Sequence, residues 1–179
     1  MIYVRPAIGE DVPQIEALLG EATAWLADRG IFWLRDSSGP ASERIARGGV
    51  WAVRTEPDGL LIATVSLDEV PAPELWGTQP PDALYVHRLT VTRAYSGQGI
   101  GALLLDFAGD YAARTGRAWV RLDCNKTNMR LQAYYAGNGF KHVRTVDLPH
   151  RFSGALFERE SRRSGAVEVL GRDEFRLTT

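Results

Sequence analysis

Residues 85–101, YVHRLTVTRAYSGQGIG, run from an alternating β-rich segment through a glycine-rich turn into a helix. Residues 84–92 read as a strand. From Gly99 onward Ile100, Leu103, Leu104, Phe107, Ala108 and Tyr111 recur at helical spacing, which requires one buried face. Gly116 ends that helix. Gly97, Gly99 and Gly101 permit close approach and a left-handed backbone, while the free amides and dipole of the following helix favour an anion such as phosphate. The alternative is a plain connecting loop. Two common nucleotide patterns are excluded: in G-x-G-x-x-G the third glycine is replaced by Leu104, and the phosphate-loop pattern lacks its lysine.

Working outward, residues 118–124 form another strand and residues 128–138 another helix, closed by Gly139. Asn128 and Tyr135 are seven residues apart, two turns and about 10 Å along the axis, so they share a face that one ligand can touch. Each also has a structural reading, Asn128 as a helix cap and Tyr135 as a core ring. Segments 140–148 and 154–160 read as an antiparallel pair. Upstream, residue 3 opens a short strand, and Ile15, Leu18 and Leu19 mark an amphipathic helix. An aromatic-rich stretch with Trp25, Phe32 and Trp33 and a short helix over 42–47 follow. Residues 50–55 and 60–67 are joined by the hairpin composition Glu56-Pro57-Asp58-Gly59. Four prolines in residues 70–82 make that segment a surface loop. The predicted order gives an α/β fold, a mixed, mostly antiparallel sheet with helices packed on it. Only the strand–helix–strand around residue 101 needs a parallel crossover.

The chain has 179 residues, 45% hydrophobic and 24% charged, with a formal net charge of −1. That composition suits one ordinary globular domain, and the charge lacks the basic excess that holds a nucleic-acid backbone. A lone Cys124 and scattered His87, His142 and His150 give no disulfide and no zinc spacing, so no metal is expected. The first residues lack a signal-peptide pattern and no apolar run is long enough to cross a bilayer. The expected location is cytoplasmic, away from membranes. Residues 161–179 read as a C-terminal appendage to a domain of residues 1–160, either an extra strand or a contact in a homodimer.

The stretches 91–101 and 128–140 together resemble the GCN5-related N-acetyltransferase (GNAT) family, whose motifs are R/Q-x-x-G-x-G/A and N…Y-x-x-x-G-F, and the likeness spans most of residues 2–160. Ser96 departs from the family's Arg or Gln. The resemblance implies a sheet splayed open after the strand at 85–92, with acetyl-CoA as co-substrate lying in the opening. It implies that main-chain groups of Leu89 and Val91 hold the pantetheine arm, that Ser96, Gly97, Gln98, Gly99, Ile100 and Gly101 hold the pyrophosphate, and that Asn128 reaches the pantetheine. It further implies direct transfer of an acetyl group to a primary amine of a small molecule or peptide, with Tyr135 as general acid. Tyr134, about 100° around the helix, is expected to tolerate loss of its hydroxyl. No covalent enzyme intermediate is required, which leaves Cys124 structural. His87 is the candidate base because histidine titrates in the physiological range. Asp68, Glu69 and Glu74 near the proline-rich loop are alternatives, Asp123 on the neighbouring strand is a candidate to orient a substrate amine, and a packed histidine is the structural reading. Trp25, Phe32, Trp33 and Trp76 lie in the two segments that the resemblance sets beside the acceptor pocket, where with Asp36 and Glu74 they suit a cationic amine, and core packing is the rival reading. The rival readings are an acyl-CoA-binding sensor without turnover and an interaction module.

Overall fold

In the computed structural model, residues 1–32 and 39–178 are described, and they build nine strands and five α-helices. In chain order these are β1 (Ile2–Pro6), α1 (Val12–Ala27), α2 (Ala41–Arg47), β2 (Val50–Arg54), β3 (Leu61–Asp68), α3 (Pro73–Trp76), β4 (Ala83–Val91), α4 (Ile100–Arg114), β5 (Trp119–Asn125), α5 (Met129–Gly137), β6 (Lys141–Thr145), β7 (Ser153–Glu160), β8 (Val167–Gly171) and β9 (Glu174–Leu177). All nine strands lie in one sheet, ordered β6-β7-β5-β4-β3-β2-β1-β9-β8. Every neighbouring pair is antiparallel except β4 and β5, which are parallel and joined through α4. That crossover is the one the sequence demands, because two parallel strands cannot be joined by a hairpin. Beyond β7 the chain returns to the far edge, where the β8–β9 hairpin pairs with β1.

Strand alternation sends neighbouring side chains to opposite faces and so builds two cores. On one face, Leu84, Val86, Val120, Leu122, Trp51 and Val53 pack against Ile100, Leu104, Phe107 and Ala108 of α4. Leu103 and Tyr111 pack at the margin of that core, so the helical stripe read from the sequence is the buried stripe. Phe175 of β9 stacks edge-on against Trp51, Phe107 and Tyr111, which draws the C-terminal hairpin into this core. On the other face, Ile15, Leu18 and Leu19 of α1 cover Val50, Ala52 and Leu61. Next to them Leu75 and Trp76 of α3 cover Ala83, Tyr85 and Leu156. Thus α4 and α5 lie on one face and α1, α2 and α3 on the other.

The sheet opens in its middle. Pairing between β4 and β5 runs from Ala83–Trp119 to Val86–Leu122 and stops there. Beyond that point β4 stays with β3 and β5 stays with β7. Between His87 and Thr90, β4 holds one residue more than β3 does between Ser66 and Thr64, a bulge that bends β4 away from β5. Arg88 carries the strain, with φ of 49°. The backbone N–H and C=O groups of β4 that face β5 beyond Val86 therefore have no strand partner.

Candidate functional site

The glycine turn follows this opening. After β4 the chain makes a single 3-10 turn over Arg93–Tyr95, and Gly97 and Gly99 then take φ of 80° and 79°. A left-handed residue suits glycine because a Cβ there would crowd the backbone. Gly99 is the N-cap of α4 and offers no side chain to satisfy the first amides. The first intrahelical bond runs from the Leu103 N–H to the Gly99 carbonyl, 3.1 Å, so the amides of residues 100–102 have no acceptor within the helix. A Cβ built on Gly97 or Gly99 would meet nothing within 4 Å, so the space above both is open. Exposed Ser96 and Gln98 flank them, and Gln98 is turned back to donate to the Ala94 carbonyl. Together these features make a cradle of outward-facing amides that fits an anionic group of the phosphate type.

On the next strand and helix, Asn128 caps α5, its side-chain oxygen accepting from the Leu131 N–H at 3.0 Å. The structural reading of Asn128 therefore holds for its carbonyl oxygen. Asn125 holds the turn before it, accepting from the N–H groups of Thr127 and Asn128. Tyr135 packs its ring against Phe140 and Phe157 on the α4 face of the sheet. Burial, helped by Cys124, Tyr134 and Asp123, pushes its phenol well above the ordinary tyrosine range. Its hydroxyl donates no hydrogen bond to another described residue. Cys124 on β5 is buried, and burial with Asp123 nearby pushes its thiol up to about 12.

On the opposite face, at the point where β4 and β5 part, His87 lies between two carboxylates. Its Nε2 is 3.6 Å from Asp68 Oδ2 and its Nδ1 is 4.0 Å from Asp123 Oδ1. Of the other carboxylates weighed, Glu69 pairs with Arg117 and Glu74 with His150 and Arg151. The opening in the sheet thus has a histidine flanked by acids on one side and a protonated phenol on the other. The histidine and its acids are part of neither apolar cluster.

The aromatic residues separate. Trp76 is only 3% exposed, packed on Tyr85 with the Arg121 guanidinium over it, so its ring is core and not a pocket wall. Phe32 meets Phe152 of the β6–β7 loop, with ring centroids 6.0 Å apart, and both rings are exposed. Trp33 and Asp36 lie outside the described residues. Trp25 is clasped by two guanidiniums, Arg29 at 3.9 Å and Arg93 at 4.0 Å from its ring. Nothing in the sequence signals that clasp, because it joins the end of α1 to the turn after β4. The His87–Asp123 approach was equally hidden, since it depends on strand register across the opening. Among the described residues no group of three or more histidines, cysteines or carboxylates is placed to hold a metal, and no helix is long and apolar enough to cross a membrane.

Residues 20–140 match the family described as "Acetyltransferase (GNAT) family". The uncharacterised N-acetyltransferase YesJ of Bacillus subtilis strain 168 is 32% identical over 156 residues, covering 79% of this chain and 82% of the relative. The crystal structure of a GNAT-family acetyltransferase from Listeria monocytogenes superposes with a TM-score of 0.72 at 27% identity, covering 88% of this chain and 93% of that one. The fold also matches yncA of Salmonella typhimurium, solved with its cofactor acetyl-CoA, at a TM-score of 0.64 and 16% identity over 93% of this chain and 97% of that one.

Proposed function

Because this chain belongs to the acetyltransferase (GNAT) family, we propose that it transfers an acetyl group from acetyl-CoA to a primary amine of a small molecule or peptide, by direct attack. The observation that carries this reading is the parting of β4 and β5 after Val86 and Leu122, with His87 on one face of the gap and Tyr135 on the other. The cradle at residues 96–101 fits the pyrophosphate. Leu89 and Val91 offer main-chain groups to the pantetheine arm, and the Asn128 side-chain amide is a further donor toward it. Acetyl-CoA supplies an acyl carbonyl carrying a thiol leaving group.

His87 takes the proton from the attacking amine, and Asp123 beside Nδ1 orients the ring for that transfer. Asp68 and Asp123 draw a cationic amine to the same face. Main-chain N–H groups of β4 beyond Val86 polarise the acyl carbonyl. Tyr135, held protonated by its burial, gives its proton to the departing sulfur. Cys124 stays a thiol and takes no covalent part.

A thiol-release assay across a panel of primary amines tests the reading. The expected result is thiol release that depends on the amine, an acetylated product by mass spectrometry, and a kcat/KM lowered by roughly 10²-fold or more in His87→Gln. Acetyl-CoA binding without turnover on any amine would instead support the acyl-CoA sensor.

A further inference from the structure

Gly101 differs from the two glycines before it. It lies inside α4, and its backbone is not left-handed, so conformation alone does not call for glycine there. A Cβ on Gly101 would instead stand 2.6 Å from the Tyr134 hydroxyl oxygen, 3.6 Å from Tyr134 Cζ and 3.8 Å from Leu89 Cδ2. Helix α5 therefore delivers a phenol oxygen onto the first turn of α4, beside the amides that have no helical acceptor. The Tyr134 side chain is 40% exposed at residue level, and its hydroxyl makes no hydrogen bond with another described residue. Partial burial of the ring raises its phenol above the ordinary range, so it is a donor at neutral pH.

We propose that the Tyr134 hydroxyl is a phosphate-oxygen donor that joins the α4 amides in binding the pyrophosphate, and that Gly101 is the space it requires. The proposal rests on acetyl-CoA as the substrate of this site. It assigns the helix a side-chain donor from another element, in a chain where Ser96 is too short to act as an Arg or Gln would. Tyr134 is then not a silent neighbour of Tyr135. The ring of Tyr134 also touches that of Tyr135, with centroids 5.8 Å apart, so phosphate contact and proton donor are carried on one rigid turn of α5.

Calorimetric titration of acetyl-CoA and of acetyl-pantetheine, which lacks the phosphates, into wild type, Tyr134→Phe, Gly101→Ala and the double variant tests this. Loss of a hydrogen bond to a charged group predicts about a tenfold weaker acetyl-CoA Kd in Tyr134→Phe, with acetyl-pantetheine unchanged. Gly101→Ala should weaken acetyl-CoA similarly by displacing the hydroxyl. The double variant should be no weaker than Tyr134→Phe, because without the oxygen the added methyl meets only ordinary contacts of 3.6 and 3.8 Å. Thermal melts establish that each variant is folded; should Gly101→Ala fail to fold, the two ligands on Tyr134→Phe decide alone. Unchanged acetyl-CoA binding in Tyr134→Phe, equal losses for both ligands, or additive losses in the double variant would overturn the proposal. Wild type that binds no acetyl-CoA would overturn the reading of the site beneath it.

Discussion

Tyr134 and Tyr135 are adjacent in sequence, yet their side chains go to different neighbours. Tyr135 faces the core beside Cys124 and Asp123, whereas Tyr134 reaches the first turn of α4. Replacing Tyr135 by Phe keeps the ring packing on Phe140 and Phe157 and removes only the proton. It should lower kcat by roughly 10²–10⁴, the range for general acid catalysis, with the acetyl-CoA Kd near that of wild type. Steady-state rates at saturating acetyl-CoA together with a direct binding measurement check it. A wild-type kcat, with chemistry rate-limiting, would withdraw the acid role. The spacing from Asn128 to Tyr135 was legible because helical periodicity is local. The identity of Gly101's neighbour was not, because it depends on how α5 docks beside α4.

At the scale of elements, the turn between β4 and α4 combines two kinds of glycine. Gly97 and Gly99 are left-handed and face open space, so a side chain there is penalised by backbone conformation rather than by crowding. The cost for alanine is about 1–2 kcal/mol, and more for a β-branched residue. Gly99→Val should therefore tilt the first turn of α4 and abolish acetyl-CoA binding, while costing the fold only a few kcal/mol of its stability. Calorimetry and urea melts measure the two separately. Unchanged binding in that variant would remove the turn from the phosphate site. Sequence reading recovered this strand–turn–helix unit nearly whole, since glycine spacing and a helical stripe are both local signals. The bulge at Arg88 escaped it, because a bulge exists only relative to the partner strand.

At the scale of the molecule, the two helical layers must be fixed to one sheet for the opening to keep its shape. Asp11, buried before α1, receives hydrogen bonds from Arg5 of β1, Arg54 of β2 and the Ile8 N–H. On the other face, buried Asp110 of α4 pairs with Arg114 and Arg163 and accepts from the Ser164 N–H, tying α4 to the segment before β8. Burial alone would raise the Asp11 pKa, but the bonds from Arg5, Ile8 and Arg54 outweigh it and hold the carboxyl below its usual range. A lowered folded-state value stabilises the protein fully above the unfolded carboxylate pKa of about 3.9, and that contribution is lost as pH falls through the folded value. Asp11→Ala strands the buried Arg54 guanidinium and should cost roughly 3 kcal/mol at neutral pH. Its Tm should also fall less steeply than that of wild type between about pH 4 and 2. Parallel Tm–pH curves for the two proteins would show that Asp11 contributes nothing to acid sensitivity.

What the sequence determined by itself is the set of local units: the glycine turn feeding α4, the capped helix with Asn128 and Tyr135, the hairpin at residues 56–59, and the single parallel crossover. Each follows from periodicity, turn chemistry or connection length within a few tens of residues. Tertiary structure alone decided which groups converge. It separated Trp76, sealed on Tyr85, from Trp25, clasped between two arginines. It chose Asp68 and Asp123, over Glu69 and Glu74, as the carboxylates beside His87. It drew Phe175 from the C-terminal hairpin into the core around Trp51, and set the Tyr134 hydroxyl over Gly101. All four depend on strand order, register and helix docking, which place residues far apart in the chain within a few ångströms and leave no periodic trace along it.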